Sequence, residues 1–152
     1  MSLTDYAWLA LAAYAVHMLE EYMFDWRNWA RAVIGLPVEW SDFYMTNAVV
    51  VVLGIAQAGL SDSMPAAPLS FAALMLINAT FFHVLPFLRT KGRFSPGLVT
   101  AVLLFYPLGI AEFAHAGAGT SELIFAFVVG AILMASPVVC LNLKSRPYFR
   151  QS

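Results

Sequence analysis

Long apolar segments dominate this chain of 152 residues and constrain its fold more than any other feature. Hydrophobic residues make up 61% of the sequence and charged residues only 11%, whereas a water-soluble domain averages about 25% charged residues. So few charges could not keep the surface of a soluble domain hydrated. The sequence therefore predicts an integral membrane protein, and the expected location is the inner (plasma) membrane of a bacterium.

Five segments reach or approach the length of about 20 apolar residues that a membrane-spanning helix requires. Most of these segments are separated by short connections rich in Gly, Pro and Ser, and these residue types favour turns. The sequence predicts an all-α bundle of about five transmembrane helices, forming a single domain over residues 1–152. The predicted spans are 6–24, 43–60, 66–88, 96–115 and 122–143.

Two local predictions concern the connections. Ser95 before Pro96 is typical of an N-cap followed by proline at the first helical position. The connection 25–42 carries three tryptophans and two arginines, residue types that are enriched in the headgroup layer of a bilayer. We expect the first helix to extend into that layer and to end near Gly35.

The basic residues indicate an orientation. With five spans, all eight fall after the first, third or fifth helix, which is one side of the membrane. The positive-inside rule then places the N-terminus outside and the C-terminus in the cytoplasm. The eight are Arg27, Arg31, Arg89, Lys91, Arg93, Lys144, Arg146 and Arg150.

Ionisable residues within the predicted spans indicate where a functional site lies, because each costs about 2.5–3.5 kcal/mol on insertion scales. His17 precedes Glu20 by three residues and Glu21 by four, so both carboxylates adjoin the imidazole on one helix face. Two adjacent carboxylates in a low dielectric cannot both ionise cheaply, so we expect one to hold a proton. His83, in the third span, is predicted at the same depth.

These four residues, His17, Glu20, Glu21 and His83, are the predicted catalytic set, suited to proton transfer. Imidazole and carboxylate also suit zinc, iron or manganese, so His17, Glu21 and His83 could instead hold a divalent transition metal. Four further residues are predicted to contact a substrate. They are Asn47, Asn78, Thr100 and Glu112, although hydrogen bonds between helices are the competing interpretation for the first three.

The run from His17 to Tyr22, His-Met-Leu-Glu-Glu-Tyr, resembles the signature of the HXXEE-domain family of small membrane proteins. The stretches 78–83 and 94–100 are similar to a second block of that family. The resemblance extends to about Ile110 and leaves Glu112 unsupported. It implies that His17, Glu20, Glu21 and His83 are the positions to carry over, and it implies no particular reaction.

Three functions remain open at this point. The first is a membrane-embedded enzyme that isomerises, cyclises or hydrolyses a lipid-like or isoprenoid-like substrate by acid–base chemistry, with or without a metal. The second is a transporter or channel for protons, metal ions or small solutes. The third is a structural subunit of a membrane complex. The expected partners are a membrane lipid or hydrophobic small molecule and further copies of the chain, and the absence of a basic patch argues against nucleic acid.

Overall fold

The computed structural model describes residues 1–149, and this part of the chain is all helical, without a strand. Arg150 lies outside the described residues. The helix ends differ from the predicted spans by no more than three residues. The helices are α1 (Leu3–Met23), α2 (26–34), α3 (Trp40–Leu60), α4 (Ala66–Arg89), α5 (Leu98–Ala116) and α6 (Thr120–Lys144).

Four of these helices, α3 to α6, are long and apolar enough to cross a membrane, which suggests a membrane protein. Helix α1 has 21 residues, the same length as α3. It is not among the four, because His17, Glu20 and Glu21 lower its mean hydropathy. The helix that falls short of an apolar span is therefore the one that carries the ionisable cluster.

Contacts at the helix ends show how the bundle is arranged. Near the start of α1, Thr4 Oγ1 lies 2.6 Å from Oγ of Ser61, the residue after α3. At the opposite end, Lys144 Nζ of α6 donates to Asp42 Oδ1 of α3 at 2.7 Å. The long helices α1, α3, α4, α5 and α6 thus alternate in direction along the chain, and the connections after α1 and α4 share one end with the C-terminal end of α6. All seven basic residues of the described chain lie at this end, which we call the basic end.

Helix α4 lies at the centre of the bundle and packs against α1, α3, α5 and α6. Half of the residues in the 18-residue apolar segment of α4 are buried, compared with 11% in the corresponding segment of α6. Gly130 of α6 permits a close crossing, since a Cβ there would lie 2.8 Å from the Leu74 backbone nitrogen. The central position of α4 explains how one of its side chains reaches the middle of the protein.

Two helices contain a π-helical turn immediately before a proline. Ala79–Val84 precedes Pro86 in α4, and Ala101–Phe105 precedes Pro107 in α5. Proline has no N–H, so the hydrogen bond to the carbonyl four residues earlier is lost. In a π-helical turn the backbone hydrogen bonds instead join residues five apart. The Phe82 carbonyl, which Pro86 cannot bond, instead lies 3.4 Å from Ser95 Oγ. His83 lies within this irregular turn.

Two of the local predictions are wrong. Helix α5 begins at Leu98, with Gly97 rather than Ser95 at the N-cap, because Gly97 takes a left-handed φ of 92°. Ser95 uses its side chain elsewhere. Helix α1 does not continue to Gly35 either, because Asp25 has a left-handed φ of 57° and separates α1 from α2.

An ion-pair cluster fastens α2 to the start of α3 at the basic end. The Glu39 carboxylate accepts hydrogen bonds from Arg27 and Arg31. These bonds, that from Arg27 foremost, hold the pKa of Glu39 below its ordinary value of 4.5. A lowered carboxyl pKa adds stability above the ordinary value, and that stability is lost as the pH falls through the lowered one.

Acidification from about pH 7 to about pH 3 is therefore expected to release this cluster. Amide hydrogen exchange in residues 26–39, corrected for intrinsic rates, should accelerate relative to exchange in α6. Glu39→Gln should exchange rapidly in this segment at both pH values. Equal protection of wild-type and Glu39→Gln protein near neutral pH would show that the cluster does not hold α2.

Candidate functional site

Three buried side chains from two helices converge near the basic end of the bundle. His17 and Glu21 come from α1, and His83 comes from α4. Glu21 Oε1 lies 3.5 Å from Nε2 of His17 and 3.5 Å from Nε2 of His83. One ligand atom from each of the three residues lies within 4.8 Å of the others. Both histidines are 0% exposed and Glu21 is 6% exposed, so bulk water does not solvate the cluster.

The orientation of His17 is set by Thr100 at the start of α5. Thr100 Oγ1 lies 2.8 Å from His17 Nδ1 and 2.6 Å from Glu20 Oε2. The hydroxyl has one proton, and the carboxylate can only accept, so Thr100 donates to Glu20 and accepts from His17. We assign the proton of a neutral His17 to Nδ1 on this basis, which leaves a lone pair on Nε2.

His83 has an equivalent partner. Its Nδ1 lies 3.2 Å from Ser95 Oγ, and this hydroxyl can donate to the Phe82 carbonyl at 3.4 Å. When Ser95 donates to the Phe82 carbonyl, it accepts from Nδ1–H of His83, and Nε2 of His83 then carries a lone pair. Neither Nε2 has a hydrogen-bond partner within residues 1–149, although both are buried. Two imidazole lone pairs and one carboxylate oxygen therefore face one another.

Glu20 has a different role from its neighbour Glu21. Its carboxylate accepts from the backbone N–H groups of Val99 and Thr100, at 3.1 and 2.8 Å, and from the Thr100 hydroxyl. The first N–H groups of a helix lack partners within the helix, and its N-terminus favours negative charge. Gly97, at the N-cap, has no side chain to satisfy them. Glu20 therefore caps α5 from another helix.

Gly97 packs directly against both imidazole rings. A Cβ at this position would lie 2.6 Å from Cε1 of His83 and 2.7 Å from Cε1 of His17. The left-handed φ of Gly97 also disfavours any residue with a side chain. Only glycine permits the connection between α4 and α5 to cover the cluster this closely.

A small cavity, which we call the inner chamber, adjoins the cluster at Glu21. Its free volume is about 60 Å³. Polar side chains and apolar side chains both contribute to its wall. The wall includes Glu21, Trp26, Asp42, Thr46, Asn47, Asn78, Pro137 and Leu141.

A comparison with protein families gives one match. The family model described as "Protein of unknown function with HXXEE motif" matches residues 8–112, more than half of the chain. The chain belongs to the HXXEE family. The motif residues of this family member are His17, Glu20 and Glu21, and the match also includes His83. No curated protein and no solved structure matches the chain.

The predicted residues of this HXXEE protein fall into three groups. His17, Glu21 and His83 form the cluster, and Thr100 joins Glu20 to it. Asn47 and Asn78 line the inner chamber. Glu112 stands apart in the second half of α5, 12 residues beyond Thr100, which corresponds to about 18 Å along the helix. It is 1% exposed, and neither of its carboxyl oxygens has a hydrogen-bond partner among the described residues.

Two residues of this HXXEE protein that contact the cluster were not predicted as part of the site, namely Ser95 and Gly97. Ser95 orients His83, and Gly97 makes room for both rings. The signal in the sequence is the run Ser-Pro-Gly in a short connection between two helices that carry polar residues. The Ser-Pro-Gly run packs over the two histidines because Gly97 takes a left-handed φ, and the sequence alone does not reveal this backbone angle.

Proposed function

We propose that this protein is a membrane-embedded, metal-dependent enzyme whose metal ligands are His17, Glu21 and His83. One observation carries the proposal. Three buried acceptor atoms from these residues face one another, while hydroxyl groups occupy the remaining Nδ1 nitrogen of each histidine. Histidine ligands of metals commonly donate their other ring N–H to such partners, which fixes the tautomer.

A divalent cation satisfies this arrangement better than a proton does. A proton on Glu21 could bond to only one of the two Nε2 atoms and would leave the other buried lone pair without a partner. Two ligands of a tetrahedral zinc are about 3.3 Å apart when each lies at about 2.0–2.1 Å from the metal. The distances of 3.5 Å from Glu21 Oε1 to each Nε2 are close to that value.

Two histidines and one glutamate form the ligand set of several catalytic zinc sites, which keep a further position for water or substrate. Two histidines and a carboxylate also suit iron(II). A metal held there would polarise a carbonyl group or lower the pKa of a water molecule. The chain itself orients both imidazoles through Thr100 and Ser95, and excludes bulk water. These features support hydrolysis or isomerisation of a substrate that enters from the membrane.

The fold also supports five spans with the N-terminus outside. Helix α1 is about 31 Å long at 1.5 Å per residue, which matches a bilayer core of about 30 Å. Its side chains His17, Glu20 and Glu21 are buried against α4 and α5 rather than turned to lipid. The gathering of the basic residues at one end supports a cytoplasmic location for that end. The cluster then lies in the half of the bilayer nearest the cytoplasm.

A transporter receives less support from the packing. Beyond His17, toward the other end of the bundle, Tyr14, Phe71 and Phe105 form part of a buried apolar cluster. The Tyr14 and Phe105 rings stack with their centroids 5.3 Å apart. The Phe105 ring also packs against the His17 ring, with the two centroids 4.4 Å apart. This packing separates the cluster from Glu112, and the polar contact between the two levels of the described bundle is a partly buried pair of hydroxyls, Thr80 and Tyr106, 2.9 Å apart.

Metal analysis of the protein, purified in detergent and reloaded with zinc or iron(II), tests the proposal. Wild-type protein is expected to retain about one ion per chain after desalting. His17→Ala and His83→Ala should each weaken retention more than about 100-fold, because each removes a ligand rather than an outer partner. The matched control is His115→Ala, since His115 is exposed and remote from the cluster.

Untargeted mass spectrometry of a bacterial lipid extract incubated with these proteins supplies the second readout. Conversion of a lipid by wild-type and His115→Ala protein, but not by His83→Ala protein, is the expected result. Retention of no metal by wild-type protein, or equal retention by His83→Ala protein, would refute the metal centre.

A further inference from the structure

Resting on the proposed function, we infer the class of its substrate: an amphiphile with a single apolar chain and a small, uncharged head group. The head group carries both a hydrogen-bond donor and an acceptor, as a carboxamide or a hydroxyl does. The inner chamber receives the head group, and an apolar groove between α3 and α6 receives the chain.

Glu21 connects the chamber with the metal ligands. It is the one residue that both belongs to the cluster and lines the chamber among the residues described. A molecule that reaches the cluster from the chamber therefore meets the Glu21 side first. This position makes the chamber the place where the reacting group of a substrate would lie.

Two polar atoms at the chamber indicate what that group offers. Asn78 is 6% exposed, and its Oδ1 accepts no hydrogen bond from residues 1–149. Its Nδ2 has only a long contact of 3.8 Å with Met134 Sδ. Trp26 also lines the chamber. Its Nε1–H is buried and donates no hydrogen bond to the described residues. A buried polar atom without a partner is costly, so a ligand that supplies a donor to Asn78 and an acceptor to Trp26 gains from both.

The size of the chamber limits the head group. A buried water requires about 10–15 Å³ of such volume, so 60 Å³ corresponds to a group of a few heavy atoms. Carboxamide and hydroxyl groups fit this volume, whereas a phosphocholine or sugar head does not. A carboxylate head group has no donor for Asn78 Oδ1, and an ammonium head group has no acceptor for the Nε1–H of Trp26, so the two atoms together favour an uncharged group.

An apolar groove continues from the chamber toward the lipid. The two cavities share Asp42, Thr46, Pro137 and Leu141 as lining residues. The groove has a volume of about 370 Å³, and its lining on α3 extends from Asp42 to Leu53. The eleven helical steps from Asp42 to Leu53 correspond to about 16 Å, directed from the basic end toward the middle of the bundle. A chain in the groove would thus follow α3 while its head group lies next to Glu21.

Photoaffinity labelling tests this inference with palmitamide that carries a diazirine in its chain, added to zinc-loaded protein in nanodiscs. We expect saturable labelling of peptides from α3 and α6. Unlabelled palmitamide should displace the probe at least about tenfold more effectively than hexadecane, which has the same chain length without the head group. Palmityl alcohol should also displace it.

Three variants locate the site. Val49→Trp, which fills the groove, should lower labelling at least about tenfold. The matched control is Val52→Trp on the same helix, since Val52 is 64% exposed and does not line the groove. Asn78→Ala should remove most of the advantage of palmitamide over hexadecane. Thermal unfolding in detergent, measured on the same preparations, verifies that each variant is folded, and metal content is measured separately.

The outcomes separate the substrate class from the proposed function. Labelling spread over all lipid-facing helices, or unaffected by Val49→Trp, would mean ordinary contact with bilayer lipid and would overturn the inference. Displacement by hexadecane as effective as by palmitamide would overturn it as well. Saturable, head-group-dependent labelling of protein that retains no metal would support the binding site and refute the metal chemistry.

Discussion

Replacing Gly97 by alanine is expected to disrupt the proposed metal centre, although residue 97 is not one of the proposed ligands. The new methyl group would overlap Cε1 of both histidines, at 2.6 and 2.7 Å. A left-handed backbone costs a residue with a side chain about 1–2 kcal/mol, and overpacking costs about 1–3 kcal/mol more. We therefore expect a loss of about 2–5 kcal/mol in unfolding free energy. Metal retention should be lost with it, because the rings must move apart to admit the methyl group.

Gly92 provides the matched control in the same connection. Its φ of 95° is nearly that of Gly97, but a Cβ there would meet nothing closer than Phe87 Cζ at 3.9 Å. Gly92→Ala carries the backbone strain without the overlap and should retain metal. Thermal unfolding in detergent and metal analysis together measure the two effects. Equal behaviour of the two variants would show that backbone strain alone, and not contact with the histidines, explains the requirement for glycine.

The adjacent glutamates are expected to respond in opposite ways to substitution. Glu20→Ala removes the acceptor for three donors at the start of α5. Unsatisfied buried donors cost about 1–3 kcal/mol each, and we expect a total loss of about 2–4 kcal/mol because the site is partly exposed. Glu21→Gln keeps the shape of the side chain and should change stability by less than about 1 kcal/mol. It should nevertheless weaken metal retention more than about 100-fold.

Thermal unfolding and metal titration of Glu20→Ala and Glu21→Gln check this division. The conservative variant Glu20→Gln serves as a control for charge. Its amide oxygen can still accept a hydrogen bond from the start of α5, whereas its amide nitrogen is a donor and cannot pair with the backbone N–H groups there. We expect it to be intermediate in stability. If Glu21→Gln unfolded as readily as Glu20→Ala while both retained metal, the roles assigned to these two side chains would be wrong.

Helices α3 to α6 could be predicted from hydropathy because each is apolar over a length that would cross a bilayer. The spacing of His17 and Glu21 also identified one side of the site, since residues four apart share a helix face. The same spacing suggested that Glu20 and Glu21 act as a pair. Consecutive residues on a helix point about 100° apart, however, so Glu20 turns to α5 while Glu21 turns to His83.

The rest of the site depends on contacts between segments distant in the sequence. Ser95 and Gly97 reach the histidines because of the backbone angles of one connection. The inner chamber depends on how α1, α3, α4 and α6 pack, and hydropathy carries no information on such packing. Asn47 and Asn78 could be proposed as polar residues at a suitable depth, but not as members of a common cavity wall.

The cap that Glu20 provides for α5 has a consequence for biogenesis. The carboxylate and the Val99 N–H that it accepts are 79 residues apart in the sequence. At about 5–20 residues per second, a ribosome needs roughly 4–16 s to synthesise that length. On the proposed five-span topology, the nascent α1 during this interval holds an ionisable side chain that has no partner in hydrocarbon. Stable integration of α1 should therefore wait for α5, and a chain truncated before Leu98 should remain accessible to quality-control proteases.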